Sequence, residues 1–329
     1  MFRNYLFSLL NNAGVSKFLR AKKRNKLTVL SLHRISDEPD FFWEPIGVAA
    51  FEKLLEYVSR YYNVISFSEI AEATLNANHK KPFLILSFDD GYYDFYENAL
   101  PLLKKFDLPA NHNIVNACAN ENAVIWTHRL NDVFNYARNK QKDISFYVDE
   151  KKITQADFSG DMMKFYLWSY KWLLQKPMPE RMMIISEMEQ RFSLNSRPRM
   201  MNWDEIVECA ENRIEIGCHT YNHDVLGTIT SLDLLRQEVV QSTREIENRI
   251  GKRIEVLALP NGIGHTAIDE VAAEAGLKHI LYVGEKVNDL LNYQNNGIVH
   301  TNRINLVNEN LPEMILRTAL FHSNIKKYV

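Results

Sequence analysis

From Leu27 onward, short apolar runs alternate with longer amphipathic stretches, and this rhythm restricts the possible folds more than any other feature of the chain. Residues 28–32 (TVLSL), 83–88 (FLILSF), 114–115 with their neighbours, 214–217 (IEIG), 256–259 (VLAL) and 280–283 (ILYV) are strand-sized and show little polar alternation. Such runs suit strands covered on both faces. Residues 49–61, 93–105, 231–250 and 267–275 have helical character. Gly251 and Gly276 stand just past two of them, where a helix ends most easily on a residue tolerant of left-handed backbone. Ile298, Val299 and His300, followed by Arg303, form the last strand candidate. Buried strands alternating with helices predict a parallel α/β architecture, either a barrel or a doubly wound sheet.

Two regions depart from the rhythm. Residues 1–26 hold seven Lys/Arg and no acidic residue, and Phe2, Leu6, Leu9 and Leu10 follow helical spacing. A basic amphipathic segment of this kind suits either packing on the body or docking on an anionic membrane surface. Between about residues 121 and 201 lie eight of the ten methionines, beside Tyr166, Trp168, Tyr170 and Trp172. The stretch YLWSYKWLL is helical in character, so a mostly helical insertion is expected there. Its aromatics are read first as the insertion's own core, with methionines filling irregular gaps, and second as a surface for stacking sugars.

Composition narrows the function classes. With 46% apolar and 24% charged residues the chain is globular rather than disordered. Lys+Arg 39 against Asp+Glu 41 leaves no basic field, so nucleic acid is not expected as a partner. Cys118, Cys209 and Cys218 form no closed disulfide set and read as reduced, buried thiols of a cytoplasmic protein. No run reaches the roughly 18 apolar residues of a membrane span. Asn11 and Asn12 interrupt the N-terminal apolar patch, so no signal peptide is read there.

The chemistry concentrates where predicted strands end. Asp89 and Asp90 follow the run FLILSF directly. Two adjacent carboxylates there repel one another unless a cation neutralises them, which suits one binding metal while the other manages a proton. His219 and His223 follow IEIGC, and two imidazoles at that spacing can chelate one divalent ion. Asp90, His219 and His223 together would leave coordination positions for water and substrate, the mark of a catalytic rather than a structural site. Pro260-Asn261-Gly262 follows another strand, His33 and Arg34 end the first, and His300 and Arg303 lie on the last. In α/β barrels active sites assemble at the strands' C-terminal edge.

SFDDG, IEIGC-HTYNH and ALPNG, in that order and spacing, resemble the polysaccharide deacetylase family (carbohydrate esterase family 4), as do VLSLHRI, residues 51–70 and NALPLLKKFDLPA. The resemblance spans about residues 27–306. It implies a distorted (β/α) barrel, often seven-stranded, over residues 27–329 with the helical insertion inside it, and a divalent metal, usually Zn²⁺. By the same resemblance Asp89 is the general base, Asp90, His219 and His223 are the metal ligands, and Thr220 braces their loop. Pro260 and Asn261 end the motif whose backbone holds the oxyanion. The family's arginine two residues before Pro260 is Ala258 here, leaving Arg34 or Arg303 to orient the base. Its leucine-x-histidine general acid has no direct counterpart, leaving His300 or His33.

The expected activity is hydrolysis of N-acetyl groups on amino sugars of a cell-surface polysaccharide, oligosaccharide or precursor. A hydrolase of non-sugar amides and a catalytically silent carbohydrate-binding protein are the alternatives, the latter favoured by Ala258. A cytoplasmic enzyme would meet precursors, and a basic N-terminus would suit a lipid-linked substrate at the inner membrane face.

Overall fold

The apolar runs close into a barrel. The structure, a computed structural model, describes residues 2–75, 80–121, 123–148, 150–192, 194, 198–294 and 297–320. Among them seven parallel strands form a ring: β1 (Lys26–Leu32), β2 (Phe83–Phe88), β3 (Ala110–Ile114), β4 (Ile214–Cys218), β5 (Val256–Ala258), β6 (His279–Val283) and β7 (Val299–Asn305). Neighbours in sequence are neighbours in space, and β7 closes on β1 through Leu30 opposite Ile304. The ring is uneven. β1 and β2 stay in register from Leu27 opposite Phe83 to Leu32 opposite Phe88, whereas β4 meets β5 only at Cys218 opposite Leu257. That irregularity is the distortion, and of the two architectures left open by the sequence pattern the barrel is the one formed.

Strand alternation sorts the barrel into layers. Leu27, Val29, Phe83, Ile85, Val256, Ala258, Leu281 and Val299 meet inside as an apolar floor. The next residues along the same faces are polar and buried: Ser31, Ser87, Asn111, Asn113, Thr301 and Arg303. The opposite faces (Leu30, Leu32, Leu84, Leu86, Phe88, Ile216, Leu257, Ile280) pack under the surrounding helices. The helical segments read at 49–61 and 267–275 form as Val48–Tyr61 and Ile268–Glu274. Those at 93–105 and 231–250 each contain a π turn, Phe95–Ala99 and Gln237–Gln241. Gly251 takes the left-handed cap conformation at φ 67°.

The insertion builds its own core from helices Trp126–Lys140, Met162–Leu173 and Met178–Phe192, around Phe134, Phe146, Phe165 and Ile185. It also contains an antiparallel hairpin, Ser145–Val148 with Lys151–Thr154, which the sequence pattern did not signal. At the N-terminus, helices Phe2–Asn12 and Val15–Ala21 sit beside the last helix, Leu311–Thr318: Asn11 Nδ2 donates to Pro312 O at 2.9 Å. Arg20 lies over the ring of Tyr61 and bonds the Tyr57 hydroxyl, and Lys23 bonds Ala319 O. No helix among the described residues is long and apolar enough to cross a membrane.

Candidate active site

The strand ends at one mouth of the barrel carry the side chains. Asp89 leaves β2 with its N–H donated to Leu32 O at 3.0 Å, which ties it to β1. Its Oδ1 accepts from Arg303 Nη1 and Asn113 Nδ2, both at 2.8 Å. All three side chains are buried. Burial by itself would raise the Asp89 pKa. The Arg303 guanidinium and His219 outweigh it and hold the carboxyl well below the usual range, so Asp89 stays ionised. Its other oxygen, Oδ2, faces His33 Nε2 and His219 Nε2, each at 4.0 Å.

Asp90 turns the opposite way. Its φ of 78° and the φ of 85° at Gly91 make two successive left-handed residues, and the chain reverses sharply enough to bring the carboxylate across to the β4 loop. Asp90 Oδ1 then lies 3.3 Å from His219 Nε2 and 3.4 Å from His223 Nε2. The two histidines stand on an irregular loop, not a helical turn, with Thr220 at φ 68° and His223 at φ 58°. The Glu238 carboxylate holds that loop by accepting from the backbone N–H groups of Tyr221 (3.0 Å) and Asn222 (2.9 Å). His219 Nδ1 donates to Ala258 O at 2.8 Å. That bond fixes the ring so that Nε2 faces Asp90.

This trio fits a divalent ion. Asp90, His219 and His223 are buried and offer ligand atoms all within 4.8 Å of one another. Two donors about 2.1 Å from one ion at a tetrahedral angle stand about 3.4 Å apart, close to the two distances above. Asp90 Oδ1 and His223 Nδ1 are buried without hydrogen-bond partners. Burial lowers the His223 pKa to about 3, keeping a neutral, ligating imidazole. Burial also opposes charge on His219, but Asp89 and Asp90 outweigh it and raise its pKa. Either a proton or a cation must therefore neutralise this cluster.

The trio and Asp89 lie on a cavity of about 430 Å³. One wall comes from the insertion, where Tyr166 and Tyr170 line the space, and another from Trp43, whose ring meets His33 edge-on at 5.3 Å between centroids. The helix Met162–Leu173 thus uses two faces. Trp168 and Trp172 stack with Phe146 on the insertion's own side, while the tyrosines face the catalytic groups. Tyr170 also donates its hydroxyl to Asn261 Oδ1 at 2.5 Å.

The model of the polysaccharide deacetylase family matches residues 76–280, most of the chain. The chain belongs to this family. No curated protein sequence matches it. Among solved structures it is similar to the deacetylase PplD of Streptococcus pyogenes in complex with acetate (18% identity, TM-score 0.59, 89% of this chain and 98% of that one). It is also similar to IcaB of Ammonifex degensii (14%, 0.58, 90% and 97%) and the BpsB deacetylase domain of Bordetella bronchiseptica (19%, 0.52, 87% and 97%). At these identities the likeness is one of fold. Family membership makes the chain a hydrolase of carbon–nitrogen bonds.

In this polysaccharide deacetylase the residues expected at the site divide clearly. Asp89, Asp90, His219, His223, His33, Asn261 and Arg303 line the cavity. Of the two arginines left to replace the motif residue at Ala258, Arg303 reaches Asp89, whereas Arg34 Nε bonds Asp94 Oδ2 at 2.9 Å. Pro260 is buried in the turn that presents Asn261 and does not line the cavity. His300 is not brought to the mouth. It lies near the opposite end of β7, half-exposed, with Nε2 3.0 Å from Asp269 Oδ2 and its ring stacked on Tyr282. The reason is register, because the β7 residues at the mouth are Arg303 and Asn305. Asn113 and Trp43 were not anticipated, whereas Tyr166 and Tyr170 meet the second of the two readings of the insertion's aromatics by lining the cavity. The signal for Asn113 was present in ANHNI, where polar residues recur at every second position of a buried strand.

Proposed function

We propose that this chain is a metal-dependent deacetylase that removes N-acetyl groups from amino sugars of a cell-surface polysaccharide or its precursor. One observation carries the reading: an ionised, doubly held carboxylate, Asp89, beside a preformed Asp90–His219–His223 trio, on a cavity walled by aromatic rings. One carboxylate and two imidazoles suit Zn²⁺ or another first-row divalent ion. When bound, such an ion brings the pKa of a coordinated water from about 15.7 toward about 7.

The chain's own residues supply the rest. Asp89 accepts the proton of the attacking water, and Arg303 and Asn113 keep its Oδ1 occupied so that Oδ2 is the basic atom. His33, whose Nε2 stands 4.0 Å from that oxygen, is placed to pass a proton to the departing amine. Burial lowers the His33 pKa, so the resting imidazole is neutral and receives its proton within the cycle. The rings of Trp43, Tyr166 and Tyr170 offer apolar faces for a sugar. Arg303 also supplies what the missing arginine at 258 withheld, which weakens the case for a silent binding protein.

Asp89→Asn tests the reading. The variant should bind zinc like the wild type in elemental analysis and release acetate from an N-acetylated oligosaccharide about 10²–10⁴-fold more slowly, the usual worth of a general base. Normal turnover by that variant would remove Asp89 from the role. For location we infer a membrane surface, reached through residues 1–26, where a lipid-linked precursor would be met.

A further inference from the structure

The insertion does more than wall the cavity. Asn261 sits at φ 56° in the turn after β5, and its side-chain carbonyl accepts from the Tyr170 hydroxyl at 2.5 Å. With the Tyr170 hydroxyl donating to Oδ1, Nδ2 keeps two N–H groups of its own. Nδ2 is buried and meets no acceptor in the protein. Buried donors are rarely left unpaired, and an orphan at a ligand cavity calls for an acceptor from outside. Tyr170 is itself firmly placed. Its ring stacks on Trp126 with centroids 5.6 Å apart, and Trp126 lies under the Arg181 guanidinium at 4.7 Å. Arg181 is fully buried, bonded to Leu173 O at 3.0 Å and to Asp224 Oδ1 at 3.1 Å. Asp224 directly follows the ligand candidate His223. A continuous line of contacts thus runs from the histidine loop through the insertion to Asn261.

We propose that the Asn261 side-chain amide is a substrate-binding donor, aimed by Tyr170 as a positioning residue, and that it hydrogen-bonds an oxygen of the amino sugar being deacetylated. This rests on the deacetylase reading above. The acceptor is either the acyl oxygen, where negative charge develops during attack, or a sugar hydroxyl. The first is felt mainly in kcat and the second mainly in KM. The device belongs to this chain's combination of an asparagine in the turn and a tyrosine from the inserted helix, and it makes the insertion part of substrate recognition.

The experiment measures kcat and KM for zinc-loaded Asn261→Asp, Tyr170→Phe and the double variant on an N-acetylated oligosaccharide, with Asp89→Asn in parallel. Aspartate tolerates the left-handed backbone at 261 and can keep the Tyr170 bond, but replaces the donor with an acceptor. Asn261→Asp should lose about 10²–10³-fold in kcat if the acyl oxygen is the partner, or raise KM if a hydroxyl is. Tyr170→Phe should shift the same constant in the same direction by about 3–10-fold. The double variant should cost less than the product of the two, as residues acting as one unit do. Unchanged constants in both single variants, with Asp89→Asn inactive, would overturn the inference and leave the deacetylase reading standing. An active Asp89→Asn would instead count against that reading. Thermal melts exclude misfolding as the cause, and Tyr170→Leu, which removes ring and hydroxyl together, separates lost packing from the lost bond.

Discussion

At the scale of single residues the site depends on where charge is allowed to reside. Arg303 and Asp89 are both buried, so removing one partner strands the other, and breaking such a pair costs about 3–5 kcal/mol. Arg303→Met should destabilise the protein on that order in a urea melt. It should also move the acid limb of kcat/KM to higher pH, because Arg303 is the leading charge that lowers the Asp89 pKa. An unshifted limb would mean that His219 and His33 hold the base ionised without Arg303. His219 supplies the opposite sign. Its pKa is raised in the folded chain, so the stability it contributes is fully present below about pH 6.5 and is lost as pH rises through the raised value. A zinc ion needs that imidazole neutral, so its binding expels the proton. The rise in Tm on adding zinc should therefore be larger at pH 8 than at pH 6. His223, its pKa lowered to about 3, acts in the opposite sense: the unfolded chain takes up that proton as pH falls through about 6.5 while the folded chain does not, so this group weakens the fold at pH 6 relative to pH 8. Equal zinc-induced shifts at the two pH values would show that no proton is displaced at His219.

At the scale of elements, the barrel reads as an apolar tube with a polar upper layer, and that layer is what positions Asp89. Gly217 is its tightest point, since a Cβ there would stand 2.2 Å from Asn113 Oδ1 and 3.1 Å from Val256 O. Gly217→Ala should force Asn113 off Asp89, lowering stability by about 1–3 kcal/mol as overpacking does and lowering acetate release. Thermal melts and an activity assay check both, and full activity in the Gly217→Ala variant would refute the coupling. The same layer explains what the sequence could convey. β1 and β2 were legible because their core-facing and helix-facing residues are both apolar, so TVLSL and FLIL announce buried strands. β3, reading ANHNI, was legible only at its end, because its interior positions serve the site rather than the core. SFDDG and HTYNH were legible as chemistry since each falls at a strand end, but the reversal through Asp90 and Gly91 that unites them is a backbone property no spacing rule contains. His300 shares a strand with Arg303, and only the register shows that it falls at the end away from the cavity. The insertion's aromatics were visible, while their division between core and cavity depends on how the helix Met162–Leu173 is rotated against the barrel.

At the scale of the whole molecule the surface is asymmetric. Of the large apolar side chains exposed among the described residues, Tyr5, Leu6, Leu9 and Phe18 cluster on the two N-terminal helices, far more than so short a segment should carry. Lys17, Lys22 and Arg24 stand exposed near them, while Arg20, Lys23 and Lys26 are engaged with the body. An outward apolar strip bordered by cations complements an anionic bilayer. Each buried side chain of this size contributes about 1.5–3 kcal/mol and each cation about 1 kcal/mol near a charged membrane. Together these suffice for reversible association with such a surface, short of the permanent anchoring of a spanning helix. The full chain should co-sediment with vesicles of phosphatidylglycerol and phosphatidylcholine, and far less with phosphatidylcholine alone. Raising salt from 0.1 to 1 M should weaken the binding, because the Debye length falls from about 10 Å to about 3 Å. Leu9→Ser with Phe18→Ser should abolish sedimentation while leaving hydrolysis of a soluble oligosaccharide unchanged, since neither residue lines the cavity. Equal recovery on neutral and anionic vesicles, or a soluble dimer that the double variant converts to monomer, would reassign the strip to contact with a second copy of the chain. In that event the N-terminal segment would say nothing about where the sugar substrate is met.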